Sequence, residues 1–124
     1  MSKIFDTHIH IDNFATPEPK RLLDSMDQNQ VNKLGLLAEE PAYYEKDLHK
    51  LQKHNEDRLT RLMQWCNGSD NRLLPIYFLN PTERDAVEQA ERAVDAGAIG
   101  FKVICDTHYP GDERAMPVYQ RIAD

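Results

Sequence analysis

Residues 73–79 read LLPIYFL, and residues 80–96 read NPTERDAVEQAERAVDA. The first run is almost entirely apolar, which is typical of a strand buried on both faces of a parallel sheet. The second run begins with a proline and acidic residues, which favour the start of a helix, and then repeats apolar residues at helical spacing. Gly97 follows where a helix should end, and residues 98–105 form the next predicted strand. This order predicts a βαβ unit.

The same alternation extends along the whole chain. Strands are predicted over residues 4–11 and 31–38, helices over 19–28 and 42–66, and a last helix from Pro117 onward. Repeated strand–helix units predict an α/β fold with a parallel sheet. Four strands are half of a (β/α)8 barrel of the TIM type. We therefore expect residues 1–124 to form one domain, the N-terminal half of a truncated barrel.

Composition narrows the class of protein. The 124 residues are 40% apolar and 29% charged, which indicates a globular chain, and the net charge of −6 disfavours nucleic acid as a partner. The sequence lacks a signal peptide and a long apolar run, so we expect a cytoplasmic protein without a membrane partner. Cys66 and Cys105 are isolated in sequence and are expected to be reduced thiols.

The segment that starts at Asp6 reads DTHIHID and lies in the first predicted strand. Residues two apart in a strand point to the same face, so His8, His10 and Asp12 should share one face with Asp6. The residues between them should face the helices. Two imidazoles on one face can hold a divalent metal between them. The alternative reading is a half-exposed edge strand whose histidines face water.

Three segments resemble one family. Residues 5–12 (FDTHIHID) resemble the first-strand D-x-H-x-H motif of the metal-dependent amidohydrolase superfamily. Residues 74–81 (LPIYFLNP) and 96–103 (AGAIGFKV) resemble the third and fourth strands of its amidohydrolase 2 branch. That branch includes predicted metal-dependent hydrolases with a TIM-barrel fold. The resemblance spans nearly the whole chain.

The resemblance implies a site and a chemistry. His8 and His10 would be metal ligands, and two further histidines and an aspartate would come from the fifth, sixth and eighth strands. The cofactor would be a divalent metal, with zinc as the first choice and manganese or iron as alternatives. The reaction would be hydrolysis of an amide, lactone or ester, or nonoxidative decarboxylation, of a small molecule by a metal-activated water. No catalytic residue can be assigned.

Three further residues are candidates for substrate contacts or for supporting the ligands. Lys102 lies in the G-F-K segment, where some superfamily members carry a carbamylated lysine between two metals; a structural or substrate-facing lysine is the alternative. Asp106 and His108 follow the fourth predicted strand, where active-site loops of barrels lie. The alternative for His108 is a solvated loop histidine.

Two other functions remain open. TatD-like metal-dependent nucleases and phosphodiesterases also begin with a D-T-H-x-H-x-D strand, but they carry a glutamate in a G-E-I-G-type segment where this chain has Gly100, Phe101 and Lys102. The third reading is a non-catalytic half-barrel fragment or a self-associating module. A homodimer would then cover the exposed sheet edges. Whether the chain is an enzyme by itself is left open.

Overall fold

A computed structural model of the protein describes residues 3–10 and 19–124. Strands and helices alternate throughout these residues. The strands are β1 (Ile4–Ile9), β2 (Val31–Leu37), β3 (Leu73–Phe78) and β4 (Gly100–Lys102). The helices are α1 (Lys20–Gln28), α2 (Leu48–Asn67), α3 (Ala86–Ala96) and α4 (Met116–Ala123).

The four strands form one parallel sheet in the order β1-β2-β3-β4. Each strand therefore lies beside its neighbour in sequence, and the sheet curls like half of a barrel. One core contains residues of all four helices and of the sheet, chiefly of the face that carries Leu34, Leu36 and Tyr77, so the helices cover that face together. Phe78, of the opposite face, also belongs to this core. The α/β class and the parallel sheet are confirmed. The core includes Met26, Leu34, Leu36, Leu62, Trp65, Leu73, Tyr77, Ala90, Ala93 and Val118.

The start of α2 corrects a prediction. The helix expected from Ala42 begins at Leu48. Asp47 precedes it with an extended backbone, and its carboxylate accepts hydrogen bonds from the backbone N–H groups of His49 and Lys50 at 3.0 and 3.1 Å. A side-chain acceptor at this position satisfies amides that have no partner within the helix. The cap fixes the boundary and leaves residues 42–47 in the loop after β2.

The fourth strand is shorter than predicted. Only Gly100–Lys102 of the expected strand over residues 98–105 pairs with β3.

The residues from Asn80 to Asp85 form turns before α3 begins at Ala86. Gly97 ends α3 as predicted, with a left-handed φ of 111° that a glycine adopts at little cost.

A buried arginine joins α2 to two strand ends. Arg58 has no exposed surface, and its Nε donates to Oδ1 of Asn55 at 3.0 Å. Its Nη1 donates to the carbonyl oxygens of Glu39 at 2.9 Å and Phe78 at 2.6 Å. The guanidinium carbon lies 4.5 Å from the centre of the Tyr77 ring. Burial lowers the pKa of Arg58 from its ordinary value, and the neighbouring phenols and carboxylates oppose that shift. These bonds supply the polar partners that a buried cation requires.

The two edges of the sheet are β1 and β4. On β1, the side chains of Ile4 and Phe5 are 45% and 51% exposed, so this strand is only partly covered. That a second copy of the chain covers these edges stays a prediction. Among residues 3–10 and 19–124, no helix is long and apolar enough to cross a membrane.

Alkaline pH should destabilise the fold through two buried acids. Burial raises the pKa of the Cys66 thiol from 9.0 to about 12 and that of the Tyr77 phenol from 10.0 to about 12. Both groups ionise more readily in the unfolded chain, so their contribution to stability is complete below pH 9.0 and is lost as the pH rises to about 12. We expect the urea midpoint to fall over this window. In Cys66→Ala the fall should begin later, near the ordinary tyrosine value of 10.0. A wild-type midpoint that stays constant through the window contradicts this account.

Candidate functional site

The imidazoles of His8, in β1, and His10, the residue that follows β1, converge at the carboxyl end of the strand. The Nε2 atoms of His8 and His10 lie 3.0 Å apart, and the ring centroids are 4.8 Å apart at an interplanar angle of 63°. Both side chains are exposed. When one Nε2 carries a proton, it can donate to the other. When neither does, two lone pairs point into the same region of space.

This geometry fits two ligands of one metal ion. Zn–N bonds are about 2.0–2.1 Å long, which places two nitrogens of a tetrahedral zinc site about 3.3 Å apart. The observed Nε2–Nε2 separation of 3.0 Å is close to that value. Neutral imidazole nitrogens are also among the commonest ligands of zinc, iron and manganese. The pair therefore passes the geometric test for a shared cation.

The pair lies on the face of the sheet opposite the helices. Ile9, between the two histidines, packs against the hydrophobic core beneath the helices. The ring of His10 lies on the other side, edge-on to the ring of Phe78 at a centroid distance of 6.1 Å. The predicted alternation is confirmed for these three consecutive residues of the chain, His8 to His10. The site is therefore on the concave face of the sheet.

β1 contains a bulge in the interval that includes His8. Asp6 pairs with Leu34 and Ile9 pairs with Leu36, so β1 uses one more residue than β2 over this interval. A bulge changes the direction of side chains and is common beside functional sites. Oδ1 of Asp6 accepts a hydrogen bond from the backbone N–H of His8 at 3.0 Å. The Asp6 carboxylate thus holds the histidine backbone.

Gly35 lets β1 come this close to β2. A Cβ atom at Gly35 would lie 2.9 Å from the carbonyl oxygen of Thr7 and 2.6 Å from Cδ1 of Ile76. The first of these contacts is with backbone and cannot be relieved by turning a side chain. Thr7 is part of the bulge and precedes His8. Gly35 is therefore a structural requirement of the strand that carries the histidines.

Lys102 lies on the same face of the sheet as the ring of Phe78, in the edge strand β4. Phe101 packs against the core, and Lys102, the next residue of β4, pairs with Phe78 of β3. Its side chain is half-buried, and its carbonyl oxygen accepts from the backbone N–H of Leu79 at 2.8 Å. A substrate-facing role for Lys102 stays a prediction.

Asp106 lies in the loop after β4, close enough to Tyr43 for its charge to act on the phenol. Its side chain is exposed. The pKa of Tyr43 is raised to about 12, first by burial and then by the negative charge of Asp106. The loop after β4 therefore lies next to the loop after β2. A contact of Asp106 with substrate stays a prediction.

His108 is not a solvated loop histidine, and that reading was wrong. Its side chain is 8% exposed, and neither ring nitrogen has a hydrogen-bond partner among the described residues. The residues that follow it form a compact turn, in which Asp112 accepts two hydrogen bonds from the guanidinium of Arg114. These bonds are the main reason why the pKa of Asp112 falls to about 2, and His108 contributes in the same direction. The imidazole of His108 is therefore buried and not solvated.

The structure brings His8 and His10 together, and within its described residues no third ligand joins them. No group of three or more His, Cys, Asp or Glu side chains that could hold a metal occurs in residues 3–10 and 19–124. Asp12, which was expected to share the histidine face, lies outside the described residues, as does Ile11. Asp106 and His108 do not complete a ligand set with the pair.

Sequence reasoning missed Phe78, Gly35 and the buried arginine. A signal for the arginine is present in α2, where Leu51, Asn55, Arg58 and Leu62 follow one another at intervals of four, three and four. This spacing places all four on one helix face. Polar residues within an apolar stripe are therefore candidates for a buried network. Gly35, by contrast, is one glycine in an apolar run, and its role depends on a neighbouring strand.

Comparison of the chain with models of known protein families, with curated proteins and with solved structures gave no match.

Substitution of Gly35 should disturb the histidine strand. We expect Gly35→Ala to destabilise the protein by about 1–3 kcal/mol, because the new methyl group overlaps the Thr7 backbone and Ile76. Gly100→Ala is the matched control, since a Cβ there meets nothing within 4 Å. The measurement is the urea midpoint of both variants. Equal stability of the two variants would show that β1 does not need the space at Gly35.

Proposed function

We propose that this chain carries the first metal-binding element of an amidohydrolase-type hydrolase. The observation that carries the proposal is the 3.0 Å convergence of the His8 and His10 Nε2 atoms at the carboxyl end of β1. In barrel enzymes the chemistry is placed at the carboxyl ends of the parallel strands. The resemblance of the DTHIHID, LPIYFLNP and AGAIGFKV segments to the amidohydrolase 2 branch supports the same assignment.

The sheet is proposed to be the first four strands of a (β/α)8 barrel. Two features support this reading. The strand order follows the sequence without a reversal, and the four helices contribute to a core on one face of the sheet. Doubly wound α/β folds instead reverse their strand order and cover both faces. The concave face with the histidines would then become the barrel interior.

The residues of this chain would hold and orient the reacting groups. His8 and His10 supply two imidazole nitrogens to a divalent metal, zinc first and manganese or iron as alternatives. A metal held there would supply Lewis-acid chemistry: it would lower the pKa of a water ligand and polarise a substrate carbonyl. Phe78 forms an apolar wall beside His10, and Lys102 offers a cation on the same face to an acidic or carbonyl group of a small substrate. Further ligands would complete the coordination.

Zinc binding tests the ligand pair. We expect His8→Ala and His10→Ala each to weaken zinc binding by about tenfold or more, because each removes one of the two nitrogens from the site. His49→Ala is the matched control, since His49 is an exposed histidine on α2. Calorimetric titration of the wild type and the three variants, with circular dichroism to confirm folding, gives the comparison. Equal affinities of all four proteins would place the metal elsewhere.

An activity assay separates the hydrolase from the nuclease alternative. With added zinc or manganese, we expect turnover of p-nitrophenyl esters or lactones above the rate of the His8→Ala, His10→Ala double variant. Turnover of bis-p-nitrophenyl phosphate at a higher rate than the esters would instead favour the TatD-like reading. Metal binding without any turnover would support the non-catalytic alternative.

A further inference from the structure

Around the carboxyl ends of β2 and β3, three buried polar atoms have no hydrogen-bond partner among residues 3–10 and 19–124. They are the hydroxyl of Tyr43, Nη2 of Arg58 and Oε1 of Glu83. Tyr43 belongs to the loop after β2, Glu83 to the loop after β3 and Arg58 to α2. An unpaired buried polar atom is costly, and it commonly marks a place where an internal molecule supplies the missing bonds.

Hydrogen bonds hold two of these groups next to each other. Oε2 of Glu83 accepts from Nδ2 of Asn55 at 2.9 Å, and Oδ1 of the same Asn55 accepts from Nε of Arg58 at 3.0 Å. Nε2 of Gln89 also donates to Oε2 of Glu83 at 2.6 Å. Oε2 of Glu83 therefore accepts two hydrogen bonds, whereas Oε1 accepts none. Asn55 lies between the Glu83 carboxylate and the Arg58 guanidinium.

The buried hydroxyl of Tyr43 lies within electrostatic range of both groups. Its pKa is raised to about 12, chiefly by burial, then by Asp106 and Glu40. The charge of Arg58 opposes this rise, and that of Glu83 adds to it. The phenol therefore interacts electrostatically with both other groups. Its hydroxyl is neutral in the ordinary pH range and can both donate and accept a hydrogen bond.

The chemistry of the three atoms defines the ligand. Nη2 of Arg58 only donates, Oε1 of Glu83 only accepts, and the Tyr43 hydroxyl does either. An anion would be repelled by Glu83, and a cation by Arg58. A small neutral molecule that donates and accepts satisfies both, and internal waters typically make about three such bonds. We propose that Tyr43, Arg58 and Glu83 bind one internal water molecule.

This water would join three separate elements. It links the loop after β2, the loop after β3 and the middle of α2. Arg58 already holds the carbonyl oxygens of Glu39 and Phe78, so the water completes a network that fixes both strand ends. The network lies on the helix side of the sheet. The proposal does not depend on metal binding by the histidines.

Three tyrosine substitutions test the proposal, because it predicts whether each one lowers the stability of the protein. Removal of a bonded hydroxyl should raise the unfolding equilibrium constant about two- to tenfold. We expect this result for Tyr43→Phe and also for Tyr77→Phe, whose hydroxyl donates to Oε1 of Gln89 at 3.1 Å. Tyr44→Phe is the neighbouring control and should have no effect, since Tyr44 is 87% exposed. Urea unfolding of the three variants provides the constants.

An unfolding equilibrium constant that is unchanged or lower in Tyr43→Phe overturns the proposal. Removal of a hydroxyl that has no partner should leave stability unchanged or improve it. A high-resolution crystal structure of the wild-type chain is the independent measurement. It should show a water within hydrogen-bond distance of at least two of the three atoms. A direct ion pair between Arg58 Nη2 and Glu83 Oε1 with no water between them overturns the proposal even if Tyr43→Phe is destabilised.

Discussion

The buried guanidinium of Arg58 constrains the carboxyl ends of the two central strands. A cation removed from water is tolerated only when donors and acceptors around it are arranged for it. Here the acceptors include the backbone carbonyls of Glu39 and Phe78, which belong to neighbouring strands or their ends. Because those carbonyls cannot move without leaving the charge unpaired, the spacing of β2 and β3 is set where the loops begin.

Phe78 connects the Arg58 network with the histidine site. Its carbonyl oxygen binds Arg58 on the helix side of the sheet, and its ring contacts His10 on the concave side. One residue therefore connects the polar network of the core with the wall of the candidate metal site. On the other side of that site, β1 is positioned by β2, where Gly35 provides room for the Thr7 backbone. The shape of the concave face near the histidines thus depends on the large side chain of Phe78 and on the absence of a side chain at Gly35.

The sequence predicted those features that depend on local periodicity. The order of strands and helices, the end of α3 at Gly97 and the shared face of His8 and His10 follow from spacing alone, and the structure confirms them. Three predictions were wrong: the start of α2, the length of β4 and the exposure of His108. These features depend on a capping side chain, on sheet pairing and on loop packing. The bulge in β1 was missed for a similar reason, because a bulge is defined by its partner strand.

The same distinction explains why the described part of the chain contains a ligand pair but no complete ligand set. His8 lies in β1 and His10 follows the strand directly, so the separation of the imidazoles depends on the conformation of this one segment and on the hydrogen bond from the His8 backbone to Asp6. A third ligand has to come from another element, and its position depends on packing across the sheet. A strand motif can therefore specify two metal ligands by itself, whereas metal selectivity and substrate choice depend on residues that long-range structure brings to it.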